Sequence, residues 1–88
     1  MTYKLEIKPK NKHGHHPVWF LPDREQGEVP FRVYKSAAKK FQKWMATLPL
    51  LSGYETYEWD RTTTNIVYVG DTRDVAIIKL SFDSKLFE

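Results

Sequence analysis

Alternating apolar and polar residues near the start of the chain predict a β-strand. In TYKLEIK, residues 2–8, the side chains of Tyr3, Leu5 and Ile7 fall on one side, and lysine or glutamate falls on the other. A period of two is typical of a strand with one buried face. Pro9 ends the pattern, because proline has no N–H to donate to a strand ladder.

The stretch between residues 9 and 30 is rich in residues that interrupt helices and strands. It holds four of the five prolines and two of the four glycines. We therefore predict a long loop between the first strand and the main helix. VWFL, residues 18–21, is interpreted as either a short strand or an apolar plug.

A helical period follows in SAAKKFQKWMATL, residues 36–48. Ser36 is the predicted N-cap, residues 29–35 form an extended lead-in, and Pro49 stops the helix. One apolar stripe faces the sheet, and it consists of Ala37, Phe41, Trp44, Met45 and Leu48.

The last third of the chain predicts a β-hairpin and one ambiguous segment. YETYEWD and NIVYVG flank the turn RTTT, so residues 54–70 fit two paired strands. In residues 72–82 the apolar residues alternate as in a strand, yet some also have helical spacing. We favour a short helix over residues 72–79 that runs into a terminal strand.

The order of these elements predicts one α+β domain over residues 1–88. A strand, a helix, two strands, a short helix and a last strand are the elements of a ferredoxin-like sandwich. In that arrangement helices cover one face of an antiparallel sheet, and the other face is open or pairs with a partner. The chain has no cysteine and 15% aromatic residues, so large rings must supply much of the core.

The C-terminal half resembles a group of small uncharacterised proteins of tailed bacteriophages, including marine ones. The likeness covers about residues 38–83 and lies in FQKWM, YETYEWD, VYVGD and DVAIIKLSF. It implies a ferredoxin-like fold and a role as a viral accessory protein. Those proteins have no agreed catalytic residues, so the resemblance implies no site.

Charge and hydropathy limit the possible partners. The formal net charge is +3, the pI is near 9.2, and nucleic acid and acidic proteins are admissible partners at that charge. No uncharged stretch approaches the roughly 20 residues of a membrane helix, and the first residues do not form a signal peptide. We expect a soluble cytoplasmic protein, in the host cell if the protein is viral.

Catalytic patterns are missing from the sequence. Without cysteine there is no thiol nucleophile, and neither a nucleophile elbow nor a glycine-rich phosphate loop occurs. A chain of this length rarely builds both a core and a water-excluding pocket. We expect no catalytic residue, no cofactor and no enzymatic activity.

The three histidines lie together in NKHGHHPVWFLPD. His13, His15 and His16 offer imidazoles, and Asp23 or Glu25 are conceivable further zinc ligands. Glycine between the histidines does not fix a tetrahedral geometry. We interpret the segment as a connection with an aromatic plug and predict no metal site.

Two surfaces are candidates for binding. The first is an aromatic protein interface, or a homodimer interface on the open sheet face, because tryptophan anchors carry much of the energy of protein interfaces. Its residues are Trp19, Phe20, Tyr57 and Trp59. The simpler alternative is that these rings only cover the core.

The second surface is the lysine-rich side of the predicted helix. Its residues are Lys35, Lys39, Lys40 and Lys43. They could contact nucleic-acid phosphates, although the stacking motif of RNA-binding ferredoxin-like domains is absent. A solvated helix face is the alternative interpretation.

Overall fold

The structure is a computed structural model that describes residues 2–58 and 65–88, with the backbone alone at residues 26, 55–58 and 65. Its elements, in chain order, are β1 (Tyr3–Ile7), β2 (His16–Pro22), α1 (Phe31–Thr47), β3 (Tyr54–Glu58), β4 (Asn65–Val69) and α2 (Thr72–Ser81). Single 3-10 turns follow β2 at Arg24–Gln26 and α2 at Ser84–Phe87.

The four strands form one antiparallel sheet in the order β1-β2-β4-β3. Residues of α1 and α2 pack into a single core cluster with the same sheet face, so the predicted α+β class is confirmed. The element order is β-β-α-β-β-α, which corresponds to β-α-β-β-α-β with the last strand moved to the front. The first and last described segments meet, because the Tyr3 N–H donates to Ser84 Oγ at 2.8 Å.

Residues 9–30 are not one long loop, because β2 lies in their central part and confirms the short-strand alternative for residues 18–21. β2 is an inner strand that pairs with β1 and β4. Pro22 leaves the ladder with β1 intact, because the Asp23 N–H donates to the Thr2 carbonyl and the nitrogen of the neighbouring Pro22 therefore points away from β1. β1 and β2 therefore form a hairpin whose loop spans residues 8–15.

The main helix begins earlier than predicted. α1 starts at Phe31 directly after Pro30, whose φ of −57° suits a helix entry, and no side chain caps its first turn. Ser36 lies inside the helix and is not the N-cap. The first turn is held on the sheet by Tyr34, which is buried and donates its hydroxyl to the carbonyl of Phe20.

The segment after β4 is a helix, as predicted, but residues 82–88 form a 3-10 turn and no terminal strand. Asp71 caps α2 by accepting the N–H of Arg73 at 2.9 Å, and α2 extends to Ser81. Asp83 then accepts the N–H of Lys85 at 3.0 Å. This second capping interaction turns the chain and directs Phe87 into the core.

The core is a stack of aromatic rings centred on Phe20. The Phe20 ring lies 4.5 Å from the Phe41 ring, 5.1 Å from the Tyr3 ring and 5.2 Å from the Phe87 ring, measured between centroids. Such ring pairs add stability beyond the area they bury. The predicted apolar stripe of α1 faces this core, with Ala37, Phe41 and Met45 buried.

The predicted hairpin of residues 54–70 is present as β3 paired with β4. The register joins Tyr54 to Val69 and Glu58 to Asn65. The predicted turn RTTT and Trp59 lie outside the described residues.

Candidate functional site

One face of the sheet carries no helix of residues 2–58 and 65–88. Alternation along the paired strands brings a common set of residues to it. We call this set the helix-free face, and it comprises Lys4, Glu6, Lys8, Pro17, Trp19, Leu21, Ile66 and Tyr68, with Glu55 and Tyr57 at register positions on the same side. Charged residues occupy its β1 row and apolar residues its inner rows.

Trp19 lies near the middle of the helix-free face. Its register partners are Glu6 on β1 and Ile66 on β4. Ile66 is 2% exposed and stands outside the main core cluster, so the centre of this face is closed to solvent while Trp19 and Leu21 are half-buried. The Trp19 Nε1 atom is buried and has no acceptor in the described part of the chain.

The four predicted aromatic anchors do not share one surface. Trp19 lies on the helix-free face, as required for an anchor. Phe20 points the other way and is 0% exposed in the core, so its assignment to an interface is wrong, because neighbouring strand residues face opposite sides. Tyr57 pairs with Ile66 in the register, and its side chain and all of Trp59 lie outside the described residues.

The outer side of α1 is a continuous basic surface. Arg32, Lys35, Lys39, Lys40 and Lys43 are all exposed, and α1 contains no acidic residue. Among the described residues, none of these cations has a carboxylate within ion-pair distance. The Lys40 side chain is directed towards Glu88, since its Nζ donates to the backbone oxygen of that residue at 3.4 Å.

The N-terminal part of α1 also exposes an aromatic ring. Phe31 is 51% exposed, and Lys35 Nζ lies 5.9 Å from the centre of its ring. The two residues line a shallow depression together with Arg32, Ser36 and Lys39. The basic surface therefore includes one flat apolar group beside its cations.

His16 has a structural role that explains the proline beside it. In a regular ladder the carbonyl of Lys8 would accept an N–H from residue 17, but that residue is Pro17. His16 Nδ1 lies 3.2 Å from this carbonyl, so Nδ1 donates and replaces the missing donor. Nε2 lies 3.1 Å from the hydroxyl of Thr72, which ties β2 to the start of α2.

The other two histidines belong to a tight loop. Asn11 Oδ1 accepts the backbone N–H groups of His13 and His15 at 2.9 and 3.0 Å, and Gly14 takes a φ of +79° that favours glycine. Asp23, a conceivable metal ligand, instead accepts the N–H of Glu25. No group of three metal-binding side chains occurs in residues 2–58 and 65–88.

Asp74 is the one buried charged residue of the described chain, and its sequence context gave it no catalytic or binding role. It is 0% exposed, and its carboxylate accepts the N–H of Leu51 at 2.7 Å. It also accepts the N–H and the hydroxyl of Ser52 at 3.0 and 2.9 Å. Burial raises the pKa of Asp74, but the hydrogen bonds together lower it more, so the pKa lies below its usual value.

Through these hydrogen bonds, Asp74 links the connection between α1 and β3 to the first turn of α2. An acidic residue three positions after the capping Asp71 was the available signal, because such residues suit the N-terminus of a helix. Asp71 itself pairs with Arg73 at 2.8 Å. The hydrogen bonds from Arg73 lower the pKa of Asp71 to about 2.

A groove runs between β1 and the C-terminal end of α2. Its volume is about 360 Å³, and it is lined by Tyr3, Lys4, Leu5, Ile7, Lys79 and Phe82. The floor is largely apolar, and the charged groups among these residues are both lysines. This groove follows the outer edge of the sheet.

Comparison with known proteins finds no matching family model, no matching curated protein and no matching solved structure. The bacteriophage resemblance therefore stays an expectation. No helix in the described part of the chain is long and apolar enough to cross a membrane.

Proposed function

We propose that this protein is a small non-enzymatic interaction module that binds a partner protein through the helix-free face. The observation that carries the proposal is the position of Trp19, on an inner strand and on the side that neither helix covers. Half-buried tryptophans surrounded by apolar residues are frequent energetic centres of protein interfaces. The bacteriophage resemblance supports a viral accessory role, with a host protein as the partner.

The local setting of Trp19 supports the same proposal. Leu21 lies beside it on β2, and the row of Lys4, Glu6 and Lys8 borders it on β1. An apolar centre with a charged border is the usual composition of a protein interface. The rigid sheet also holds the ring in place before binding, which lowers the entropic cost of association.

The test compares partner retention by immobilised wild-type protein and by Trp19→Ala. Extract of the natural host cell is applied and washed at about 0.5 M salt, where charges are screened beyond about 4 Å. A specific partner should remain on the wild type and be lost from Trp19→Ala, because truncating an anchor costs at least about 2 kcal/mol, or about 30-fold in affinity.

Leu80→Ala is the matched control. Leu80 is 88% exposed on α2, so this variant removes apolar surface away from the helix-free face. Equal retention by the wild type and both variants, with unchanged near-UV circular dichroism, would contradict the proposed interface.

A second candidate function is nucleic-acid binding by α1. The specific observation is its run of exposed cations without an acidic residue or an ion pair among the described residues. About four phosphate contacts predict an affinity loss of about 100-fold between about 50 and about 200 mM salt. Fluorescence anisotropy of a labelled oligonucleotide pool measures this loss directly.

The discriminating variant for α1 is Lys39→Glu with Lys43→Glu. Its matched control is Lys79→Glu with Lys85→Glu, which changes the net charge equally at exposed positions on other elements. Loss of binding only in the α1 variant supports a nucleic-acid surface. Equal loss in both variants indicates a general charge effect, and no binding at about 50 mM salt excludes this candidate.

A further inference from the structure

β1 lies at the edge of the sheet, and the directions of its backbone groups follow from two hydrogen bonds. The Lys8 N–H donates to Pro17, and the Thr2 carbonyl accepts from Asp23. Even-numbered residues of β1 therefore bond to β2, because antiparallel strands alternate the direction of their polar groups. The backbone groups of Leu5 and Ile7 consequently point away from the sheet.

No described strand pairs with this outer edge. Among the described residues, the one hydrogen bond at this edge is donated by the Tyr3 N–H to Ser84 Oγ, and the groove beside Leu5 and Ile7 separates the edge from α2. Unpaired strand edges are templates for the addition of another strand. The carbonyl of Tyr3 and the backbone N–H and carbonyl groups of Leu5 and Ile7 are available to form hydrogen bonds with such a strand.

The charges on β1 are complementary to a second copy of the same strand. Lys4 and Lys8 flank Glu6 and form ion pairs with it at 3.5 and 3.7 Å. In an antiparallel pair centred on Glu6, glutamate would face glutamate and lysine would face lysine. Directly opposed like charges are destabilising, so this register is disfavoured.

Centring the pair on Leu5 removes these repulsions. Lys4 then faces Glu6 of the second copy, Glu6 faces its Lys4, and Lys8 faces its Thr2. A pair centred on Ile7 would also oppose unlike charges, but it places Lys4 against Lys10 and puts Pro9, which has no N–H, opposite Leu5. Charge and hydrogen bonding together favour the register centred on Leu5.

We propose that two copies of this chain associate through antiparallel pairing of their β1 strands, with Leu5 facing Leu5 at the two-fold axis. Each Leu5 N–H donates to the Leu5 carbonyl of the other copy. Each Ile7 N–H donates to the Tyr3 carbonyl of the other copy. The two sheets become one sheet of eight strands, four from each copy.

This pairing goes beyond the proposed function and does not depend on it. It uses the backbone edge of β1, whereas Trp19 lies on the sheet face one strand further in. If both are correct, the dimer presents two Trp19 side chains on one continuous helix-free face.

The test exchanges the charges at Lys4 and Glu6 and measures self-association by sedimentation equilibrium. Protein concentrations from about 10 μM to about 1 mM detect dissociation constants in the micromolar to millimolar range. Lys4→Glu opposes two glutamates at each symmetric contact, and Glu6→Lys opposes two lysines. Each single variant should have a dimer dissociation constant at least about tenfold higher than that of the wild type. The double variant Lys4→Glu/Glu6→Lys should recover the dimer, and an equimolar mixture of the two single variants should form a heterodimer.

The controls keep the charge change and move it away from the contact. Lys12→Glu and Glu28→Lys, both exposed and outside β1, should leave the association unchanged, and so should Lys8→Glu. A wild type that is monomeric at about 1 mM overturns the proposal, as does a dimer that neither single variant weakens. Sensitivity to Lys8→Glu in place of Lys4→Glu overturns the proposed register.

Trp19→Ala separates this proposal from the proposed function. It should leave the dimerisation constant of the wild type unchanged while abolishing capture of the partner protein. Loss of the dimer in Trp19→Ala, with the charge variants unaffected, would place self-association on the helix-free face and overturn pairing through β1.

Discussion

Replacing Asp74 with asparagine removes the charge from a fully enclosed carboxylate and leaves the shape of the side chain almost unchanged. The carboxylate accepts three hydrogen bonds, from Leu51 and Ser52. An asparagine carbonyl can still accept the Leu51 N–H. Its amide group then faces the Ser52 N–H, and two donors cannot bond to each other.

The expected loss of stability follows from this mismatch. One backbone donor left without an acceptor in a partly buried position costs about 1–3 kcal/mol. Loss of the negative charge near the N-terminus of α2 costs about a further 0.5 kcal/mol. We expect Asp74→Asn to lower the free energy of unfolding at pH 7 by about 2–3 kcal/mol, which is a large share of the stability of a small domain.

The difference between wild type and Asp74→Asn should depend on pH. Because the pKa of Asp74 is lowered in the folded state, its stabilising contribution is fully present above the unfolded pKa of about 3.9. It is lost as the pH falls through the folded pKa. The wild type should therefore lose its advantage progressively below about pH 4, while the asparagine variant does not titrate at this position.

Urea unfolding followed by circular dichroism measures both effects. With a urea slope of about 1 kcal/mol/M for a small domain, the midpoint at pH 7 should fall by about 2 M or more. The matched control is Asp83→Asn, an exposed capping position where asparagine caps as well as aspartate. Equal midpoints for wild type and Asp74→Asn, or a difference that stays constant between about pH 5 and pH 2, would refute the reasoning.

Three further predictions concern the core and the α2 cap. Phe20→Ala should lower the free energy of unfolding by about 3–5 kcal/mol, while Leu80→Ala should change it by less than about 0.5 kcal/mol, both from urea midpoints. Tyr34→Phe should cost about 1 kcal/mol through the lost hydroxyl bond to the Phe20 carbonyl, and no change would show that the bond contributes nothing. NMR titration should give Asp71 a pKa of about 2, and Arg73→Gln should raise it; an unchanged pKa in that variant would contradict the assigned cause.

The sequence predicted those elements whose pattern depends on burial alone. β1 and the apolar stripe of α1 each have one buried face, so their periodicity is visible without knowledge of the fold. The start of α1 was missed because Pro30 replaces a capping side chain and Tyr34 supplies the anchoring contact through a distant carbonyl. A contact with Phe20 cannot be read from the local sequence.

β2 was predicted only as a short-strand alternative for residues 18–21, and its full length was missed for a related reason. Prolines normally exclude an inner strand, and residues 16–22 contain Pro17 and Pro22. The structure accommodates Pro17 because the His16 imidazole supplies the missing donor to the Lys8 carbonyl. By sequence, His16 is also a conceivable zinc ligand, and only the register of β1 with β2 reveals its actual partner.

The candidate site was predicted in part. Placing Trp19 on a binding face was possible from sequence, but separating it from Phe20 required knowing that VWFL is a strand, since adjacent strand residues face opposite sides. Asp74 and the unpaired edge of β1 could not be predicted, because both depend on which distant segments approach them.

The position of Phe87 has a consequence for how the chain folds during synthesis. Its ring packs against those of Phe20, Phe41, Trp44 and Phe82. β1, β2 and α1 leave the ribosome long before residue 87 does. The apolar faces of these elements therefore stay incompletely covered until the Phe87 ring is available. Nascent chains from which only residues 1–80 have left the ribosome should remain sensitive to protease. Folding should become cooperative only when the segment that contains Phe87 has left the ribosome as well.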